Sequence, residues 1–77
     1  MTEITTGMII ECVRKVSNND IDEQTDIFSA GIDSLAVLRC RALLREQTGI
    51  KVPGHVFFGG RTPAGIVELI GAENAGR

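Results

Sequence analysis

The amino-acid sequence predicts an all-α domain: a small bundle of three main helices and one short helix, with a long loop between the first and the second. Two observations carry that expectation. Apolar residues recur at helical spacing in three separate stretches, and no stretch of useful length alternates apolar with polar as a half-buried strand would. Capping residues, glycine and proline stand where those stretches begin and end. The 77 residues are read as one domain, 1–77, with an ordered part of about 4–71. Such a chain holds a single modest core and is too short to close a deep substrate cleft by itself.

The first helix is expected between about Thr5 and Val16, where Ile9, Cys12, Val13 and Val16 share one face. It stops at Ser17-Asn18-Asn19-Asp20, whose short polar side chains compete for backbone hydrogen bonds and favour caps and turns. From Ile21 to Gly31 the pattern is irregular, with Ile21, Ile27 and Phe28 as apolar anchors that pin a polar connection onto the core. A loop of that length in so small a domain points to function.

The second helix is the best defined. Asp33 or Ser34 supplies the N-cap, good helix formers run to Gln47, and Gly49 ends the helix in the left-handed conformation. Ala36, Val37, Cys40, Leu43 and Leu44 form its core face. On the other side Leu35, Leu38 and Ala42 make a second apolar strip, flanked by Arg39, Arg41, Arg45 and Glu46. A brief third helix is expected within Ile50 to Gly60, around Val56-Phe57-Phe58. Thr62-Pro63 then reads as an N-cap followed by proline at the first helical position, where its missing N–H costs nothing. Ile66, Val67, Leu69 and Ile70 share a face of this fourth helix, with Gly65 and Glu68 opposite. Gly71 opens a small, polar tail to Arg77 that is expected to fray.

Composition narrows the function. Hydrophobic residues make up 43% and charged residues 23%, the balance of a folded protein and not of a disordered one. A net charge of -2, three Phe and neither Trp nor Tyr give no electrostatic or stacking footprint for nucleic acid. No run of about 18 apolar residues is present, and Met1-Thr2-Glu3 lacks the basic and apolar regions of a signal peptide. A cytoplasmic monomer with no membrane partner is the expectation. Cys12 and Cys40 are too few for a disulfide scaffold and lack zinc-site spacing, so both are read as reduced core thiols. The lone histidine, His55, is read as an ordinary surface residue. No metal site and no Ser-His-Asp set or glycine-rich phosphate loop is apparent, so the chain is not expected to be an enzyme.

Ala30-Gly31-Ile32-Asp33-Ser34-Leu35 places a serine hydroxyl between a glycine-ended loop and the N-terminus of the best helix. Free backbone N–H groups and the helix dipole favour a negative group there, so a phosphodiester on Ser34 would be stabilised by the fold. Simple capping by Ser34 or Asp33 accounts for the same residues.

Gly31-Ile32-Asp33-Ser34-Leu35 resembles the phosphopantetheine attachment motif of the acyl and peptidyl carrier protein superfamily. The likeness extends through Phe28 to Leu44, Thr48 to Pro53, Val56-Phe57-Phe58 and Thr62-Pro63, about two thirds of the chain in the expected order. The resemblance implies that Ser34 accepts 4′-phosphopantetheine covalently from coenzyme A through a phosphopantetheinyl transferase. Asp33 would support the transferase and its magnesium ion, besides capping. Leu35, Leu38 and Ala42, with Arg39, Arg41, Arg45 and Glu46, would form the docking surface for an acyltransferase or other acyl-loading enzyme, a ketosynthase and further synthase enzymes. Three arginines on the second helix argue against a fatty-acid carrier, and Ile32 where peptidyl carriers more often have glycine favours the polyketide type. Arg61 replaces a common proline, after a flexible Gly59-Gly60. The rival readings are a peptidyl or aryl carrier of nonribosomal peptide synthesis, and a helical interaction module in which Ser34 only caps.

Overall fold

The computed structural model describes residues 3–75. Its helices are α1 (Thr6–Ser17), α2 (Ser34–Thr48), α3 (His55–Gly60) and α4 (Pro63–Ala75). Helix α1 packs on α2 and α4, and the short α3 packs on α4. Ile9, Cys12, Val13, Ile27, Val37, Cys40, Leu44, Val52, Val56, Phe57 and Ile66 meet in one core.

Each main helix begins where the sequence offers a cap. Thr5 Oγ1 accepts the Met8 amide at 3.3 Å, Asp33 Oδ1 accepts that of Ala36 at 2.8 Å, and Thr62 Oγ1 accepts that of Gly65 at 3.0 Å. Pro63 is the first residue of α4. Asn18 and Gly49, at φ 60° and 75°, close α1 and α2 by donating their amides to Arg14 O at 2.8 Å and Arg45 O at 2.7 Å. Asp33, not Ser34, is the α2 cap, which leaves the serine as the first helical residue.

Two expectations need correction. The helix does not end at Gly71: α4 continues to Ala75, because Gly71 keeps a helical backbone and the helix formers Ala72 and Glu73 follow. The Glu73 carboxylate also meets His55 Nε2 at 2.8 Å, tying the last turns of α4 to α3. The remainder of the expected tail, Gly76 and Arg77, lies outside the described residues, as do Met1 and Thr2. Nor does Gly65 face away from the core with Glu68. It lies against Gly60, where a Cβ on Gly60 would come within 2.5 Å of the Ile66 amide nitrogen and 2.6 Å of the Gly65 carbonyl carbon. The glycine pair is therefore a point of close helix contact, not a flexible joint.

The loop of residues 18–33 is fastened at several places. Ile27 is fully buried, and its amide donates to Arg61 O at 2.8 Å. The Ala64 amide donates to Glu23 O at 3.0 Å, and Asn19 Nδ2 donates to Ala30 O at 2.6 Å. Arg61, which ends α3 at φ 65°, sends Nη2 to Asp26 Oδ2 at 2.8 Å and lies 5.4 Å above the Phe28 ring. Phe28 in turn stacks on Phe58 with centroids 5.2 Å apart. The Arg61 hydrogen bond, joined by the amide of Phe28, holds the Asp26 carboxyl below its ordinary range.

Gly60→Ala should destabilise the fold by about 2 kcal/mol or more in urea denaturation, since backbone atoms block the new methyl. Gly59→Ala should cost far less, because its Cβ meets only the movable end of Leu69, 3.1 Å away. A depressed carboxyl pKa stabilises the fold above its unfolded value, about 4, and the contribution is lost as pH falls through the lowered folded value. The stability difference between wild type and Asp26→Asn should accordingly be present at neutral pH and shrink as pH falls below about 4.

Candidate functional site

The site is built by the end of the loop. Gly31 turns the chain at φ 100°, a region that glycine enters without strain. Ile32 is then buried and donates its amide to Ile27 O at 3.1 Å, so the backbone is anchored two residues before Ser34. Asp33 follows in an extended conformation, caps α2 and delivers Ser34 to the surface. Ser34 is exposed, and its hydroxyl makes no hydrogen bond among the described residues. Asp33 Oδ1 is committed to the Ala36 amide, while Oδ2 has no partner there.

The amides of Ser34 and Leu35 are likewise without acceptors among the described residues, so the positive end of the α2 dipole opens at the hydroxyl. An open cleft beside it is lined by Val16, Gly31, Asp33, Leu35, Ala36 and Arg39. This arrangement presents an accessible hydroxyl at a helix start, where a negatively charged group would be favoured. His55, which bonds to Glu73, makes no hydrogen bond to Ser34.

The outer strip of α2 is open to solvent. Leu35 is 58% and Leu38 55% exposed, with Ala42, Arg39, Arg45 and Glu46 also exposed. Arg41 differs from the others: it is half-buried and donates Nε–H to Val52 O at 2.7 Å. Cys12 and Cys40 are in the core. Burial first of all raises both thiols, Cys40 to about 12, so neither offers a thiolate near neutral pH.

Asp33 and Ser34 thus stand at one helix start. What the sequence did not disclose is the support behind them. Ile32 reads locally as a motif residue, although an apolar residue between Gly31 and Asp33 is also a signal for an inward anchor. The Asp26–Arg61 pair joins segments far apart in the chain and left no local signal.

Asp33→Ala should destabilise the protein by about 1 kcal/mol in urea denaturation through loss of the cap. Asp33→Asn should retain most of that stability, since an amide oxygen caps as well as a carboxylate.

Residues 8–70 match the family described as "Phosphopantetheine attachment site". The chain is similar to the phenolphthiocerol synthesis polyketide synthase type I Pks15/1 of Mycobacterium bovis, at 32% identity over 60 residues. It is also similar to the Mycobacterium marinum protein of that name, at 35% identity over 57 residues. These matches cover 78% and 74% of the chain but only 3% of each relative, so the chain spans a small part of the length of the relatives it matches. No solved structure gives a significant match. With its helical bundle, its loop-to-helix serine and a family match over most of its length, the chain belongs to the phosphopantetheine attachment-site family, whose cofactor is covalently bound 4′-phosphopantetheine.

Proposed function

We propose that this chain is a non-catalytic acyl carrier of polyketide assembly, modified at Ser34. The observation that carries the reading is the exposed, unengaged Ser34 hydroxyl at the first turn of α2, inside the matched span. The residues fit the group: the free Ser34 and Leu35 amides suit a phosphodiester, and the surface position leaves room for a long substituent. When bound, 4′-phosphopantetheine supplies a terminal thiol that holds acyl groups as thioesters.

The chain's own part in attachment is simple. Ser34 Oγ attacks the phosphorus of coenzyme A that bears the pantetheine, forming a new P–O bond. The bond from that phosphorus to the bridging pyrophosphate oxygen breaks, 3′,5′-ADP leaves, and the serine proton passes to a base. No side-chain base hydrogen-bonds to the Ser34 hydroxyl among the described residues, and the transferase is the expected source of that base. Asp33 Oδ2 is available to orient a magnesium ion brought by that enzyme, while Oδ1 keeps the helix start in place.

After attachment, Leu35, Leu38 and Ala42 form an apolar docking strip beside the modified residue, with Arg39, Arg45 and Glu46 on its rim. Arg41 contributes less freely, because its bond to Val52 O fixes it. Rim charges of this kind govern association rate and partner choice more than affinity. Acyl-loading enzymes and a ketosynthase are the expected partners, and tethering raises the local concentration of cargo at each of them. Similarity to polyketide synthase relatives and Ile32 in the motif support the polyketide assignment.

Incubation with coenzyme A, magnesium and a broad-specificity phosphopantetheinyl transferase should add one phosphopantetheine to the intact wild-type mass and none to Ser34→Ala. A folded wild type that gains no mass would instead favour a cofactor-free interaction module.

A further inference from the structure

Positive charge is concentrated in one part of this acidic chain. Residues 34–52 carry four cations, Arg39, Arg41, Arg45 and Lys51, against the single carboxylate of Glu46; the rest of the chain carries four cations and nine carboxylates. Three of those cations converge. Arg41, Arg45 and Lys51 line an open cleft of about 180 Å³ with Leu38, Ala42 and Val52, between α2 and the segment that leaves it. No carboxylate lines this cleft, and none of the three cations forms an ion pair among the described residues. Glu46 lies on another side of α2, in the groove of Lys15, Val16 and Leu43.

The cleft has the parts of a recognition site for a short acid-ended chain. Leu38, Ala42 and Val52 give it apolar surface for methylene groups. Arg41 is held before any ligand arrives: its Nε–H is bound to Val52 O at 2.7 Å, and its Nη1 lies against Gly54, 3.6 Å from where a Cβ would stand. Such pre-positioning lowers the entropy lost on binding and leaves the Nη groups free to donate to a carboxylate. A cleft of about 180 Å³ has room for a few carbons and a carboxylate.

Its placement connects it to Ser34. Leu38, Arg41 and Arg45 stand four, seven and eleven residues after Ser34, so all four share one face of α2. At 1.5 Å per residue the two arginines lie about 10 and 16 Å along the axis from the serine.

We infer that this cleft binds the free carboxylate of a dicarboxylic acyl cargo, so that the chain holds acid-ended acyl groups differently from neutral ones. The inference rests on the carrier reading of Ser34. An acidic side chain of a partner protein has the same chemistry, but a small concave site on the Ser34 face fits a chain end delivered from that serine better than a protein surface.

The test loads the ¹⁵N-labelled protein from succinyl- and from butyryl-coenzyme A, which differ in the terminal carboxylate at equal chain length. The succinyl form should shift the amide signals of Arg45, Lys51 and Val52 and the Arg41 Nε–Hε signal relative to the butyryl form. The difference should diminish in 0.5 M NaCl and shrink in an Arg45→Gln/Lys51→Gln variant, which removes two of the three cations and keeps the Arg41 bond to Val52. Identical spectra for the two loads, or a difference that survives undiminished in the double variant, would overturn the inference. So would a double variant that is loaded more slowly by the transferase while the two loaded wild-type spectra coincide, for the cations would then read a protein surface. Intact mass separates the two levels: a chain that takes no load removes the carrier reading and this inference together, whereas a loaded chain with a silent cleft removes only the inference.

Discussion

The placement of Ser34 at the start of α2 depends on how the loop of residues 18–33 is held down. Ordering a backbone costs about 1–2 kcal/mol per residue, and a polar loop has little apolar surface to offset it. This one buries Ile27 and Ile32 and hydrogen-bonds its backbone to Arg61 and Ala64 of the α3–α4 junction. The Asp26–Arg61 pair and the Phe28–Phe58 stack lie over that seam. The close approach of Gly60 to Gly65 sets the position of the junction itself. A constraint in the α3–α4 turn therefore reaches Ser34 through Ile27, Ile32 and the Asp33 cap, each within hydrogen-bond or packing distance of the next.

Against this rigid backing, the serine is left free. Chemistry-bearing groups are divided between inside and outside: two thiols are buried and kept protonated, while the Ser34 hydroxyl stands exposed and unengaged at the start of α2. That division suits a carrier, in which the thiol that does the work belongs to the cofactor and a competing protein thiol would be a liability. The charges are divided too. Cations gather along α2 while carboxylates dominate elsewhere, so the face that carries Ser34 presents a positive field despite the net charge of -2.

Much of this was legible from local chemistry. The Thr62-Pro63 start of α4, the Gly49 stop and the two apolar sides of α2 are set by short-range rules of capping and periodicity, and they stand where those rules put them. The loop anchors Ile27 and Phe28 were visible as apolar residues in a polar stretch. Other features depend on distant parts of the chain meeting. Gly59-Gly60 reads locally as slack, and only the packing of α4 shows that Gly60 is small because backbone must pass close to it. Gly71 reads locally as a stop, yet a carboxylate two residues later finds His55 on α3 and the helix continues. Arg41 reads as one of three equivalent arginines until Val52 O claims it. Periodicity ranks faces; it does not say which exposed-looking residue will find a partner.

The central claim is that Ser34, and no neighbouring hydroxyl, takes the arm because the anchored loop presents it at the α2 N-terminus. Trypsin cleavage after Lys15 and Arg39 releases one peptide containing Ser17, Thr25, Ser29 and Ser34 together, so tandem mass spectrometry of the loaded protein can localise the added group among them. Ser29 is the informative control, exposed like Ser34 but inside the loop turn and away from any helix start. The account predicts the modification wholly on Ser34. Modification on Ser29, or spread over several of these hydroxyls, would contradict it.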